Sequence, residues 1–123
     1  MKNKTLVIGA SLKEERYSNR AIKKLRYFGQ PVSAIGLKKG VVEDVEIKAS
    51  QFPFENIHTV TLYLNAARQE GYYDYIISLK PKRVIFNPGT ENPHFCALLK
   101  AEKIAYEESC TLVLLSTGQY EES

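Results

Sequence analysis

Apolar positions in this chain fall into short continuous runs separated by stripes of helical period. Leu6, Val7 and Ile8 form such a run inside Lys4 to Gly9, the mark of a short buried strand. After a polar loop from Ser11 to Tyr17, Ala21, Ile22, Leu25 and Phe28 recur at helical spacing, while Arg20, Lys23, Lys24 and Arg26 fill the other side. Ser18 suits the N-cap of that helix, Gly29 its end, and Pro31 lies just beyond. Val32 to Ile35 is a second strand, which stops at Gly36 and a basic loop, Leu37 to Gly40. Val45 and Ile47 alternate with polar residues as a short edge strand would, and Phe52, Pro53 and Phe54 mark a packed loop.

The second half repeats the alternation. His58 to Leu64, rich in β-branched and aromatic residues, is the next strand. Asn65 to Leu79 reads as a helix weakened by Gly71, so that a firm helix begins only near Tyr72. Arg83 to Phe86 is a fourth buried strand, ended by Asn87, Pro88 and Gly89. Pro93 to Lys103 is a helix with Phe95, Leu98 and Leu99 inward, and Ile104 to Glu107 a last strand. The apolar segment Cys110 to Leu115 closes the chain as a turn or helix. Strands alternating with helices imply β-α-β units with right-handed crossovers. The expected fold is therefore α/β and Rossmann-like. It is one domain over residues 1–123, a doubly wound, mostly parallel sheet of about five strands with helices on both faces.

In such sheets ligands bind outside the carboxyl ends of the strands, where strand order reverses. The loops leaving the strands there are Gly9 to Ser11, Gly36 to Lys39, Leu64 with Asn65, Asn87 to Asn92, and Glu108 to Cys110. Gly9 permits a sharp turn and close approach of a phosphate, Ser11 offers a hydroxyl, and the following helix points its N–H groups the same way. Lys13 and Arg16 add charge. The dinucleotide fingerprint G-x-G-x-x-G fails, because Ser11 and Glu14 stand at its second and third glycine positions, and no Walker A loop exists. Where an NAD domain carries an acid for the ribose hydroxyls, this chain has Lys38 and Lys39. A basic loop there suits a ribose bearing an extra phosphate, the 2′-phosphate of NADP or the 3′-phosphate of coenzyme A. Two solvated lysines in a turn are the plain alternative.

Composition narrows the classes further. With 123 residues, 44% hydrophobic and 25% charged, the chain has the size and balance of one soluble globular domain. No apolar run approaches the roughly 20 residues of a membrane span, and the N-terminus enters a strand pattern where a signal peptide would stay apolar, so a cytoplasmic protein is expected. Cys96 and Cys110 lack CxxC spacing and read as free thiols, pointing to neither redox nor zinc chemistry. A net charge of +3 without a Lys/Arg run gives no sign of nucleic-acid binding.

Four segments carry a resemblance: GASLKEERYSNRAIKKL at the first turn, VTLYL at the central strand, KPKRVIFNPGTEN at the fourth strand and its loop, and CTLVLL near the end. Together they resemble the small stand-alone CoA-binding family, whose fold is similar to the N-terminal domain of the succinyl-CoA synthetase α subunit. The likeness runs nearly end to end. It implies that Gly9, Ala10 and Ser11 receive the diphosphate, that Arg16 and Ser18 support that loop, and that Lys38 or Lys39 meets the 3′-phosphate. It also implies that Leu64 and Asn65 flank the adenosine while Asn87, Pro88 and Gly89 complete the rim. Gly36 to Lys39 depart from the Asn-Pro that many larger relatives carry after the second strand. The synthetases' second domain, source of their phosphohistidine chemistry, has no counterpart in these residues. The resemblance thus implies binding of coenzyme A or an acyl-CoA without catalysis.

Enzymatic readings find little support in the sequence. His58 and His94 have no neighbouring nucleophile and read as structural. Cys110 opens an apolar segment whose helix dipole would favour a thiolate nucleophile, a buried or incidental thiol being the commoner case. Glu91 is a base or, with no substrate needed, a cap for the next helix. Tyr72, Tyr73 and Tyr75 stack a base or pack an interface, and their helix is not expected to face the rim. Two other classes stay open. One is an NADP-dependent reductase, which the basic loop permits and the missing fingerprint opposes. The other is a ligand-free interaction module that forms a homodimer through its tyrosines.

Overall fold

Leu6, Val7 and Ile8 are wholly buried, so the strand that carries them must be covered on both faces and paired along both edges. That strand, β1 (Thr5–Ala10), lies in the interior of a seven-stranded sheet ordered β3-β4-β2-β1-β5-β6-β7. The others are β2 (Val32–Gly36), β3 (Gly40–Val42), β4 (Val45–Lys48), β5 (Thr59–Leu62), β6 (Arg83–Phe86) and β7 (Ala105–Glu108). All pairings are parallel except that of β3 with β4. The computed structural model describes residues 3–121.

Alternation along the strands sorts the core into two layers. Leu6 and Ile8 of β1, Val60 and Leu62 of β5, and Val84 and Phe86 of β6 pack with Ile76, Phe95 and Leu99. These belong to α3 (Tyr73–Leu79) and α4 (Pro93–Ala101) on one face. Val7, Ala34, Ile47 and Ile85 face the other way, against Ile22 and Leu25 of α1 (Tyr17–Tyr27) and Leu114 and Leu115 of α5 (Thr111–Ser116). The arrangement is the doubly wound Rossmann-like fold that the alternation predicts. No helix among the described residues is long and apolar enough to cross a membrane.

The differences from expectation lie in turns. The sheet has seven strands rather than about five: all six segments read as strands take part, the short one at Val45 and Ile47 included, and Gly40–Val42 adds a hairpin with β4, pairing Gly40 with Ile47 and Val42 with Val45. Its turn uses Glu43 at φ 55° instead of a glycine or asparagine, which hides it from the sequence. Val45 and Ile47 therefore sit on a buried strand one place in from the edge. Arg26 holds the hairpin to α1, its Nε and Nη2 donating to the Asp44 carboxylate at 2.8 and 2.9 Å. That bond keeps the Asp44 carboxyl below its usual pKa range.

Helix α1 starts one residue earlier than its expected cap: Arg16 occupies the N-cap position, and Ser18 lies buried inside the first turn. Phe28 is 39% exposed, because the helix ends at Tyr27 and Gly29, at φ 76°, turns the chain out of the helical period. The break expected near Gly71 is real. A short α2 (Ala66–Gln69) tightens into a 3-10 turn, Glu70–Tyr72, before α3 begins.

Candidate functional site

The strand order reverses between β1 and β5, and at their carboxyl ends the backbone is unusually close. Gly9 has φ 95°, and a Cβ there would stand 2.9 Å from the Tyr63 carbonyl. The register slips at this residue, so that Ile8 pairs with Ile35 but Ala10 with Gly36. A bulge of this kind bends the strand end and lets the chain turn over the sheet edge. Gly36 is tighter still, since its Cβ would meet the Ala10 oxygen at 2.2 Å. Both glycines are thus required by close backbone approach. The loop that follows is braced from within: Ser11 Oγ accepts from Lys13 N at 3.1 Å, and the buried Asn19 amide donates to the Ser11 carbonyl at 2.9 Å.

Across the reversal, the rim is held by buried amides. Gln69, fully buried, donates through Nε2 to the carbonyls of Leu64 at 2.8 Å and Thr90 at 2.7 Å, which ties the loop after β5 to the loop after β6. Its Oε1 accepts from Asn92 Nδ2 at 3.0 Å, and Asn92 Oδ1 caps α4 through Phe95 N at 3.1 Å. Asn92, not Glu91, is therefore the helix cap, and Glu91 Oε1 accepts from Gly89 N at 2.9 Å. Asn87 is also buried, donating to Thr61 Oγ1 and the Leu62 carbonyl and accepting from Thr111 N. Gly89, at φ 90° in open space, completes a turn closed by Thr90 N to the Asn87 carbonyl at 3.0 Å.

Between these two walls runs a cleft of about 700 Å³. Gly9, Ala10, Ser11, Arg16, Ser18, Lys38, Leu64, Asn65, Pro88 and Gly89 all line it, as the rim rule predicts. Lys39 and Asn87 do not. Lys39 is exposed on the approach to the hairpin, and Asn87 spends its amide inside the protein. Gly36 and Thr90, from the rim loops read off the sequence, line it too, and the cleft also brings in residues that the sequence reading passed over as site groups: Leu12, Tyr17, Tyr63, Arg68 and Tyr72. Tyr72 corrects the expectation that the tyrosine helix faces away, because the 3-10 turn swings it onto the rim. Tyr73 instead stacks on Phe95 with ring centroids 4.4 Å apart, and the Tyr75 hydroxyl bonds the Phe52 carbonyl.

The electrostatics of the cleft are one-sided. Among the described residues, Lys13, Arg16, Lys38 and Arg68 line it together with no aspartate or glutamate. Among the described residues none of these side chains makes an ion pair, whereas Lys23, Arg26 and Lys48 elsewhere each find a carboxylate. Burial pushes the Tyr63 phenol above its ordinary pKa, so it stays protonated across the neutral range. The arrangement can hold a polyanion, with backbone N–H groups and cations around glycines that admit close approach.

The remaining candidate groups lie elsewhere. His58 bonds Thr59 Oγ1 at 2.8 Å, and burial with the charges of Arg83 and Lys82 keeps its pKa below the ordinary 6.5. His94 packs against the Tyr73 ring. Cys96 and Cys110 are free thiols outside the cleft, Cys110 standing at the N-cap position of α5 without a capping bond from its side chain.

A family model described as a CoA binding domain matches residues 3–116. An uncharacterised protein of known crystal structure is 43% identical, covers 97% of this chain and 98% of its own length, and superposes with a TM-score of 0.93. A Thermus thermophilus protein, 17% identical, covers 96% of this chain and 90% of its own with a TM-score of 0.85. A hypothetical protein from Pyrococcus horikoshii OT3, 23% identical, covers 98% and 83% with a TM-score of 0.81. The last two share the fold. The comparison with curated proteins finds no match.

Proposed function

This chain belongs to the CoA-binding domain family, and from that premise we propose that it holds coenzyme A or an acyl-CoA in the cleft and performs no chemistry on it. The observation that carries the reading is the cluster of cations, Lys13, Arg16, Lys38 and Arg68, in a cleft that no acid among the described residues lines and where none of them makes an ion pair. Unneutralised charge of one sign, set around backbone that no side chain can approach, suits a ligand of several phosphates. Gly9, Ala10 and Ser11 with the N-terminus of α1 receive the diphosphate, with Arg16 and Ser18 beside it. Lys38 meets the 3′-phosphate, since the ribose-reading position follows β2. Leu64 and Asn65 flank the adenosine, and Pro88 and Gly89 complete the rim. The coenzyme supplies a thiol for carrying acyl groups, and the protein's part is to hold and orient it.

Isothermal titration with CoA, dephospho-CoA and NADP tests the reading. CoA is expected to bind about tenfold or more tightly than dephospho-CoA, because one charge-assisted contact is lost. Equal affinities for the two remove Lys38 from its role, preference for NADP moves the chain to the nicotinamide class, and no binding by any of the three overturns the reading.

A further inference from the structure

The cations of the cleft do not come from one wall. Lys13, Arg16 and Lys38 follow β1 and β2, whereas Arg68 is carried by α2, after β5, on the far side of the reversal. Its backbone is firmly placed. Arg68 N is bonded to the Asn65 side chain at 3.0 Å, and the next residue, Gln69, is buried and tied to both rim loops. Its side chain is exposed, and among the described residues it has no ion pair or hydrogen-bond partner. A guanidinium that lines a cleft from a firmly held backbone, with no ion pair among the described residues, is suited to a ligand anion, and its planar fork matches two phosphate oxygens.

We infer that Arg68 contacts the diphosphate from the wall opposite α1, so that the ligand's central anion is gripped from both halves of the sheet. The inference rests on the CoA reading above. Strand order decides which phosphate it meets: β5 neighbours β1, while β2 lies on the other side of β1. With strands about 4.8 Å apart, the loop after β5 stands one spacing from the diphosphate turn and two, roughly 10 Å, from the loop bearing Lys38. Arg68 is thus a binding residue shared by every ligand with the diphosphate, and Lys38 the one that reads the extra phosphate.

Titration of the wild type, R68Q, R68K and K38Q with CoA and with dephospho-CoA, at one salt concentration, tests this. R68Q is expected to weaken both ligands by the same factor, about 10- to 100-fold, leaving their ratio unchanged. R68K falls between R68Q and the wild type, and K38Q lowers the ratio instead. Thermal unfolding of R68Q should match the wild type, since among the described residues the side chain has no partner to lose. If R68Q binds both ligands as tightly as the wild type, the inference is overturned and the CoA reading stands. If R68Q loses only the preference for CoA, Arg68 meets the 3′-phosphate and the inference is again overturned. A wild type that binds neither ligand overturns both.

Discussion

The two walls of the cleft are built on opposite principles. Along β1 and β2 the charged side chains of the cleft, Lys13, Arg16 and Lys38, are exposed and without an ion pair among the described residues, and order comes largely from glycines whose backbone touches its neighbours. Along β5 and β6 the determining side chains, Gln69, Asn87 and Asn92, are buried and turn their polar atoms inward. The difference follows from desolvation. A lysine kept in water costs nothing to leave charged, whereas a charge in the buried wall would need a partner of its own. Neutral amides can instead satisfy several carbonyls at once and fix loop against loop. The charge of the cleft thus gathers mainly on the first wall, with Arg68 its one cation on the second, and the buried bracing lies mainly on the second.

The comparison breaks first at the glycines. G36A places a methyl 2.2 Å from the Ala10 oxygen, so backbone must move. Urea unfolding should show a loss of about 3 kcal/mol, the upper end for overpacking. Next comes Q69A, which removes three buried hydrogen bonds. A loss of about 2 to 3 kcal/mol is expected, with weaker CoA binding although Gln69 does not line the cleft. K38Q reverses that profile: stability within about 0.5 kcal/mol of the wild type, and CoA affinity about tenfold lower. Were Q69A to change only affinity, or K38Q to change only stability, the division between the walls would be wrong.

The smallest effect concerns pH. His58 is held below 6.5 in the folded chain, chiefly by burial. Its neutral form is favoured by folding, so this stability is present above pH 6.5 and is lost as pH falls through the folded value. H58Q should flatten that part of the stability profile, measured by urea midpoints between pH 7.5 and about pH 5, the range over which histidine gains its charge. Binding at neutral pH should not change, because His58 lies outside the cleft.

The first wall was the more legible in the sequence. A continuous apolar run marked β1, and the rim rule then led from β1 and β2 to Gly9, Ser11 and the pair Lys38 and Lys39, of which the structure puts Lys38 in the cleft. The second wall was less so. The four residues of α2 and the 3-10 turn after it are too short to show a period, so nothing local announced that Arg68 and Tyr72 face the cleft. Asn87 was misplaced for a related reason: a rim asparagine looks like a ligand contact until its partners, Thr61, Leu62 and Thr111, are brought near by the tertiary fold. The hairpin of β3 escaped because an ordinary glutamate makes its turn.

The place of β1 in the strand order bears on how the molecule is assembled during synthesis. β1 and β2 leave the ribosome before β5, so the second edge of β1 has no partner until Thr59–Leu62 has been made. A β1–β2 pair formed in that interval would carry a bare parallel edge, the slow and association-prone kind. The docking of β5 that covers this edge also brings the two walls together. If the proposed ligand bridges the walls, it binds only chain in which β5 has docked and so adds to the stability of the folded state by mass action.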